Sequence, residues 1–182
     1  MKPIVPLKIE HGTIDQMIKL IRDQGLRIIA SEEINPIFID TAVDFLRTYA
    51  DRTHHGKEED ILFRDLQEKN LSAQDRQTME ELIQEHIDAR EMVSELVEAT
   101  ERYLEGDSAA VDTVLLKIGG LVELYPKHIS KEDDIFFPAA MTYFTPAEQD
   151  AMLEEMWEFD REMIHEKYRS VVERLQADRF GS

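Results

Sequence analysis

The chain has no cysteine and only 7 glycines and 6 prolines among its 182 residues. The first absence excludes disulfides, thiolate zinc sites and cysteine nucleophiles, without locating the protein. The scarcity of glycine and proline removes the punctuation a turn-rich β protein needs, and the abundance of Glu, Leu, Ile and Ala favours helix. Positive charge is also sparse: 21 Lys and Arg stand against 39 Asp and Glu, a net charge of -18. The clustered cations that grip phosphates are therefore missing, and neither nucleic acid nor an anionic membrane surface is an expected partner. No apolar run approaches the roughly 20 residues of a membrane span. The opening "MKPIVPLKIEHGTI" lacks the continuous apolar stretch of a secretory signal. A cytoplasmic protein is the expectation.

What is present is helical periodicity in five segments. His11, Ile14, Ile18, Ile21 and Ile28 mark the first stripe, which stops before "SEEINP". There Asn35 can cap and Pro36 can open a second helix, running to about Lys69. Ser72 is a candidate cap for a third, with the stripe Met79, Leu82, His86, Ala89, Val93, Leu96. Ser108 is the candidate cap for a fourth, whose stripe includes Val111, Val114, Ile118, Leu121, Tyr125, His128, Glu132 and Ile135. Thr145, Pro146 and Glu148 form a capping box for the fifth. Long helices with short links predict an all-α, antiparallel up-down-up-down four-helix bundle over 1–141. A C-terminal helical extension over 142–182 is expected to pack on it, or to join a second copy as a homodimer, through Met152, Met156, Trp157, Met163 and Tyr168. Gly119 and Gly120, mid-helix, are expected to mark close helix packing.

The chain also echoes itself. "HHGKEEDILF" from His54 aligns with "HISKEDDIFF" from His128 at an offset of 74, and "EH" at His11 with "EH" at His86 at an offset of 75. Residues i and i+4 lie about 40° apart around a helix, so His54 with Glu58, and His128 with Glu132, can aim at one point. Four histidines and two carboxylates then converge from four helices. His55, among Asp51, Arg52 and Glu59, is read as outward-facing. One HxxxE pair is a common surface contact. Four inward histidines in mirrored order point to metal instead, since six such donors exceed one tetrahedral zinc and suit a dinuclear iron or manganese site. Glu10 and Glu85 are read as helix surface. The ExxH spacing of Glu162 and His165 has no second copy, and His165 is read as a surface or interface residue.

The order H, HxxxE, H, HxxxE carried by His11, His54 with Glu58, His86, and His128 with Glu132 resembles the hemerythrin-like, or HHE cation-binding, family. The resemblance implies two non-haem iron ions bridged by the two carboxylates and an oxo or hydroxo group, manganese being the other candidate. It further implies a small diatomic ligand or peroxide as partner, engaged for sensing, storage or delivery. The alternative is an enzyme of oxidative or nitrosative defence or of iron-centre repair. Oxygen carriers of the family have a further His where this chain has Arg90, so the chain looks closer to four-His/two-Glu relatives. They also use an Asp five residues after the last His, which makes Asp133 a competitor of Glu132. Arg90 either pairs with Glu81, Glu85 or Asp88 or faces a bridging carboxylate or bound anion. Tyr125 is either a hydrogen-bond donor behind the ligands or plain core.

Overall fold

The computed structural model describes residues 2–180, with side chains described for 2–163 and 167. Five helical rods follow one another: α1 (Ile4–Ser31), α2 (36–67), α3 (Ala73–Leu104), α4 (110–140) and α5 (Pro146–Phe180). In the bundle α1 packs on α2 and α4, and α3 packs on the same two from the other side. No strand occurs among the described residues.

Local chemistry sets most of the boundaries. Asn35 Oδ1 accepts the Phe38 N–H at 3.2 Å, and Pro36 follows in the first turn of α2. Ser72 Oγ accepts the Asp75 N–H at 3.0 Å. At α5 the capping box is reciprocal: Glu148 Oε2 accepts the Thr145 N–H at 2.8 Å, and Thr145 Oγ1 accepts the Glu148 N–H at 3.3 Å. Ser108 does not cap α4. The helix begins later, at Ala110, and Asp107 Oδ1 accepts the Ala109 N–H at 3.1 Å in an Asx turn.

Two of the rods are not α-helical throughout. α2 passes through π-helical stretches at Leu46–His55 and Glu58–Phe63, and α4 through one at Glu132–Phe136. Such i→i+5 turns are wider than α turns and collect at functional sites. Here they coincide with the two echoed motifs.

Two apolar clusters fill the bundle. One is built on Ile14, Ile18, Ile21, Leu96, Ala99, Val114 and Leu121. The other gathers Leu7, Ile61, Leu62, Phe63, Leu82, Phe136 and Phe137 with Met152 and Met156 of α5. The C-terminal helix thus packs within its own chain, while Trp157 stays 48% exposed. The side chains of His165 and Tyr168 lie outside the described residues. Of the two mid-helix glycines, only Gly120 marks a close approach. A Cβ there would lie 2.5 Å from Met92 Sδ, whereas one at Gly119 would meet nothing within 4 Å.

Candidate metal centre

Between the two apolar clusters lies a knot of polar side chains. His11, His54, Glu58, His86, His128 and Glu132, the six residues expected there, are each at most 2% exposed. α1 carries the first, α2 the next two, α3 His86 and α4 the last pair. His11 Nε2 lies 3.1 Å from Glu132 Oε2, and His128 Nε2 lies 3.3 Å from the same oxygen. Glu58 faces both ways, with Oε1 at 3.5 Å from His54 Nε2 and Oε2 at 3.5 Å from His86 Nε2.

A seventh donor joins them. His55 is 2% exposed, so the outward reading does not hold. Its ring stacks on His86 at a centroid distance of 3.8 Å. The reason is the π-helical stretch that ends at His55: its wider turn narrows the angle between neighbours and lets two successive histidines face inward. An α-helical register places successive residues too far apart for that. The donors form two overlapping groups, His11, His54, Glu58 and Glu132, and His55, Glu58, His86 and His128. Within each group one ligand atom per residue lies within 4.8 Å of all the others.

The outer side of the knot fixes its inner side. His11 Nδ1 meets Asp133 Oδ1 at 3.0 Å, His54 Nδ1 meets Glu10 Oε2 at 2.9 Å, His86 Nδ1 meets Glu59 Oε1 at 2.6 Å, and His128 Nδ1 meets Glu85 Oε2 at 2.8 Å. An ionised carboxylate only accepts, so each of these Nδ1 atoms carries a proton and each Nε2 faces inward, where a metal would find it. His55 Nδ1 lies 3.4 Å from Asp51 Oδ1, longer than a hydrogen bond but in the same sense. Cations back the carboxylates in turn. Lys57 holds Glu10, Lys131 holds Glu85 at 2.5 Å, and Lys8 lies 3.6 Å from Asp133. Arg90 joins Asp51 at 2.7 Å and Glu59 at 2.8 Å.

Several expectations are corrected by these contacts. Asp133 stands on the outer side of His11, leaving the inner place to Glu132. Arg90 pairs neither with Glu81, Glu85 or Asp88 nor with a bridging carboxylate, because its side chain crosses to α2. Glu10 and Glu85 are not idle surface. Each precedes a histidine yet serves another helix, since neighbours on a helix do not face each other. Tyr125 is buried and meets the knot through its ring, which is near-parallel to His55 at 6.4 Å. Lys57, 0% exposed, escaped notice because its charge reads as helix surface in sequence.

Electrostatics sets the two carboxyls apart. Burial, then repulsion from Glu132, pushes the Glu58 carboxyl well above its usual range. Burial also works against ionisation of Glu132, but His128 and His11 outweigh it and hold that carboxyl at about 2. Burial, then neighbouring imidazoles, pushes His54 and His55 far down, so both stay neutral. His11 Nε2, His54 Nε2, His55 Nε2 and all four oxygens of Glu58 and Glu132 are buried without a hydrogen-bond partner. His86 Nε2 and His128 Nε2 face each other across 3.3 Å. Leaving so many buried polar atoms unmet is costly, and cations among them would satisfy the inward-facing ones at once. Bonds of about 2.0–2.2 Å to nitrogen or oxygen put opposite donors about 4 Å apart, which the observed spacing accommodates. The donor set fits a metal pair.

A family model for the hemerythrin HHE cation-binding domain matches residues 2–140. The chain belongs to that family. No curated protein and no solved structure matches it. The match covers the whole hemerythrin-type bundle and ends before α5. Within this hemerythrin domain the two halves correspond contact by contact. Glu10 on His54 repeats as Glu85 on His128, Asp133 on His11 repeats as Glu59 on His86, and Lys57 repeats as Lys131. His55 breaks the symmetry, since Ile129 stands at its counterpart. No described helix is long and apolar enough to cross a membrane.

Proposed function

We propose that this hemerythrin-family protein binds two non-haem iron ions, one in each overlapping donor group, and engages a small ligand such as oxygen, nitric oxide or peroxide. The observation that carries the reading is the set of inward Nε2 atoms and unpartnered carboxylate oxygens on two groups that share Glu58. Iron would supply redox chemistry and open coordination positions for such a ligand. His11, His54, Glu58 and Glu132 would hold one ion, and His55, Glu58, His86 and His128 the other. The outer carboxylates orient four of the five imidazoles, those of His11, His54, His86 and His128, for metal binding. The second group brings three imidazoles and Glu58, and the first brings two imidazoles and two carboxylates, so each offers four donors and would leave positions open to an incoming molecule. Mixed imidazole and carboxylate donors also suit manganese.

Access supports a small partner. A cavity of about 290 Å³ is lined by Leu46, Ala89, Val93, Arg90, His55 and Tyr125, among others, and reaches the knot at His55. The apolar clusters and the bundle close the remaining sides, which excludes bulky substrates. The same cavity favours a second reading, an enzyme that turns over peroxide or nitric oxide rather than holding it.

Metal analysis of protein isolated from its native host, with anaerobic absorption spectra before and after oxygen, nitric oxide or peroxide, tests the first reading. Two irons per chain and a spectral response are expected. Zinc alone, no metal, or an iron-loaded protein indifferent to all three ligands would overturn it. Multiple turnovers abolished by His54→Ala would establish the enzyme, and a stoichiometric reaction would favour binding.

A further inference from the structure

The internal repeat gives the centre two equivalent supports, Lys57–Glu10–His54 and Lys131–Glu85–His128, and α5 treats them differently. Lys131 is left at the surface, its side chain 24% exposed and also paired with Glu81 at 3.3 Å. Lys57 is sealed in at 0% exposure, and its Nζ donates both to Glu10 and, at 2.7 Å, to Asp160 Oδ1 of α5. One contiguous chain of polar contacts therefore runs from the C-terminal helix to a donor: Asp160, Lys57, Glu10, His54. Beside it the Phe159 ring lies on Gly56, where a Cβ would come within 2.7 Å of Phe159 Cζ. Gly56 is the residue between His55 and Lys57, so α5 rests on the stretch of α2 that carries three of the seven donors.

A buried ammonium needs its carboxylates. With Asp160 gone, Lys57 would keep one counter-charge in a water-poor site and would draw on Glu10 alone or turn outward. Either movement shifts the oxygen that holds His54 Nδ1. Loss of a group behind a metal ligand costs about 10- to 100-fold in affinity, and a group one contact further out belongs at the low end.

We propose that Asp160 is a positioning residue for the metal centre: through Lys57 and Glu10 it sets His54, and docking of α5 and metal occupancy of the His11/His54 group stabilise each other. The proposal rests on the metal-centre reading and goes beyond it, because α5 lies outside the family match. Coupling of this kind is reciprocal by linkage. The Asp160–Lys57–Glu10 contacts end on His54, so the ion of the His11/His54 group should answer to Asp160 more than the other.

The test uses the full chain, with Asp160→Asn, Asp160→Ala and, as control, Glu155→Gln, which removes the bidentate Arg64–Glu155 pair of the same helix without touching Lys57. Iron(II) affinity is measured anaerobically by chelator competition, and cutting within α5 by limited proteolysis with and without iron(II). The Asp160 variants should weaken one of two ions about tenfold and the other, which shares Glu58, by less. In the wild type, iron(II) should slow cutting within α5. Glu155→Gln should speed cutting of the metal-free protein and leave both affinities in place. A wild type that binds two ions, with Asp160 variants of equal affinity or cutting indifferent to iron(II), overturns this proposal and spares the metal-centre reading. A wild type that binds no ion overturns both.

Discussion

His55 is where the chemistry of a single residue carries most weight. Both of its ring nitrogens are buried without a hydrogen-bond partner, and the ring sits between His86 and Tyr125. A histidine kept for packing would not leave two polar atoms unmet, since each such atom costs about 1–3 kcal/mol. As a metal donor it would meet that cost at one nitrogen through the ion, the other being Nδ1, turned to Asp51 at 3.4 Å. The expected outcome of His55→Phe is therefore selective: the aromatic stack persists, the protein folds, and one of the two ions is weakened by tenfold or more. Chelator competition on the variant checks this. Unchanged affinity at both ions would return His55 to the core and leave six donors. His54 differs in this respect, because its Nδ1 is already held by Glu10 and only Nε2 is free to bind.

Among the helices, glycine placement separates packing from propensity. Gly119 on α4 faces open space, so Gly119→Ala should raise stability by about 0.5–1 kcal/mol through helix propensity alone. Gly25 on α1 is buried, and a Cβ there would lie 2.9 Å from Ile118 Cγ2 in the core, so Gly25→Ala should be destabilising despite the same propensity gain. Denaturant midpoints of the two variants should move in opposite directions. The start of α5 makes a pH-dependent contribution. Lys69, then the Thr145 N–H and hydroxyl, hold the Glu148 carboxyl at about 2, below its usual 4.5. A depressed folded value means the contribution is complete above about pH 4.5 and fades as pH falls toward 2. Trp157 fluorescence should report loosening of α5 in that window, and Glu148→Gln should flatten the change. A titration identical in wild type and variant would exclude the capping box as its source. Much of this level was legible in the sequence. The stripes gave the rods, and Asn35, Ser72 and Thr145 gave their starts. The π-helical turns were not legible, because a change of register inside a helix leaves no mark in composition. His55 was misread for that reason alone, and Lys57 and Arg90 because their partners sit on other helices.

For the molecule as a whole, the question is what the metal does for the fold. The cluster around Ile18, Leu96, Val114 and Leu121 contains no donor and meets the donors at its Tyr125 end, beside His55. The cluster around Leu62, Phe63, Phe136 and Phe137 follows directly on Glu58 and Glu132 in sequence and receives α5. Without metal, two carboxyls and five imidazoles share one buried space, and burial with repulsion from Glu132 drives Glu58 toward its protonated form. A ligand that binds the folded chain stabilises it by mass action, here most where the donors sit. Chelator treatment should therefore leave the protein helical but lower its melting temperature. Amide exchange should rise over 50–63 and 128–137 and change little over 14–28 and 96–121, because local opening follows local contacts. Restoring iron(II) should reverse both effects. A uniform rise in exchange along the bundle would mean that the centre holds the whole fold together, and no change at either end would mean that the seven donors are satisfied without a metal. The graded outcome follows from the architecture, in which one half of the core is built on the site and the other meets it at one end, through Tyr125.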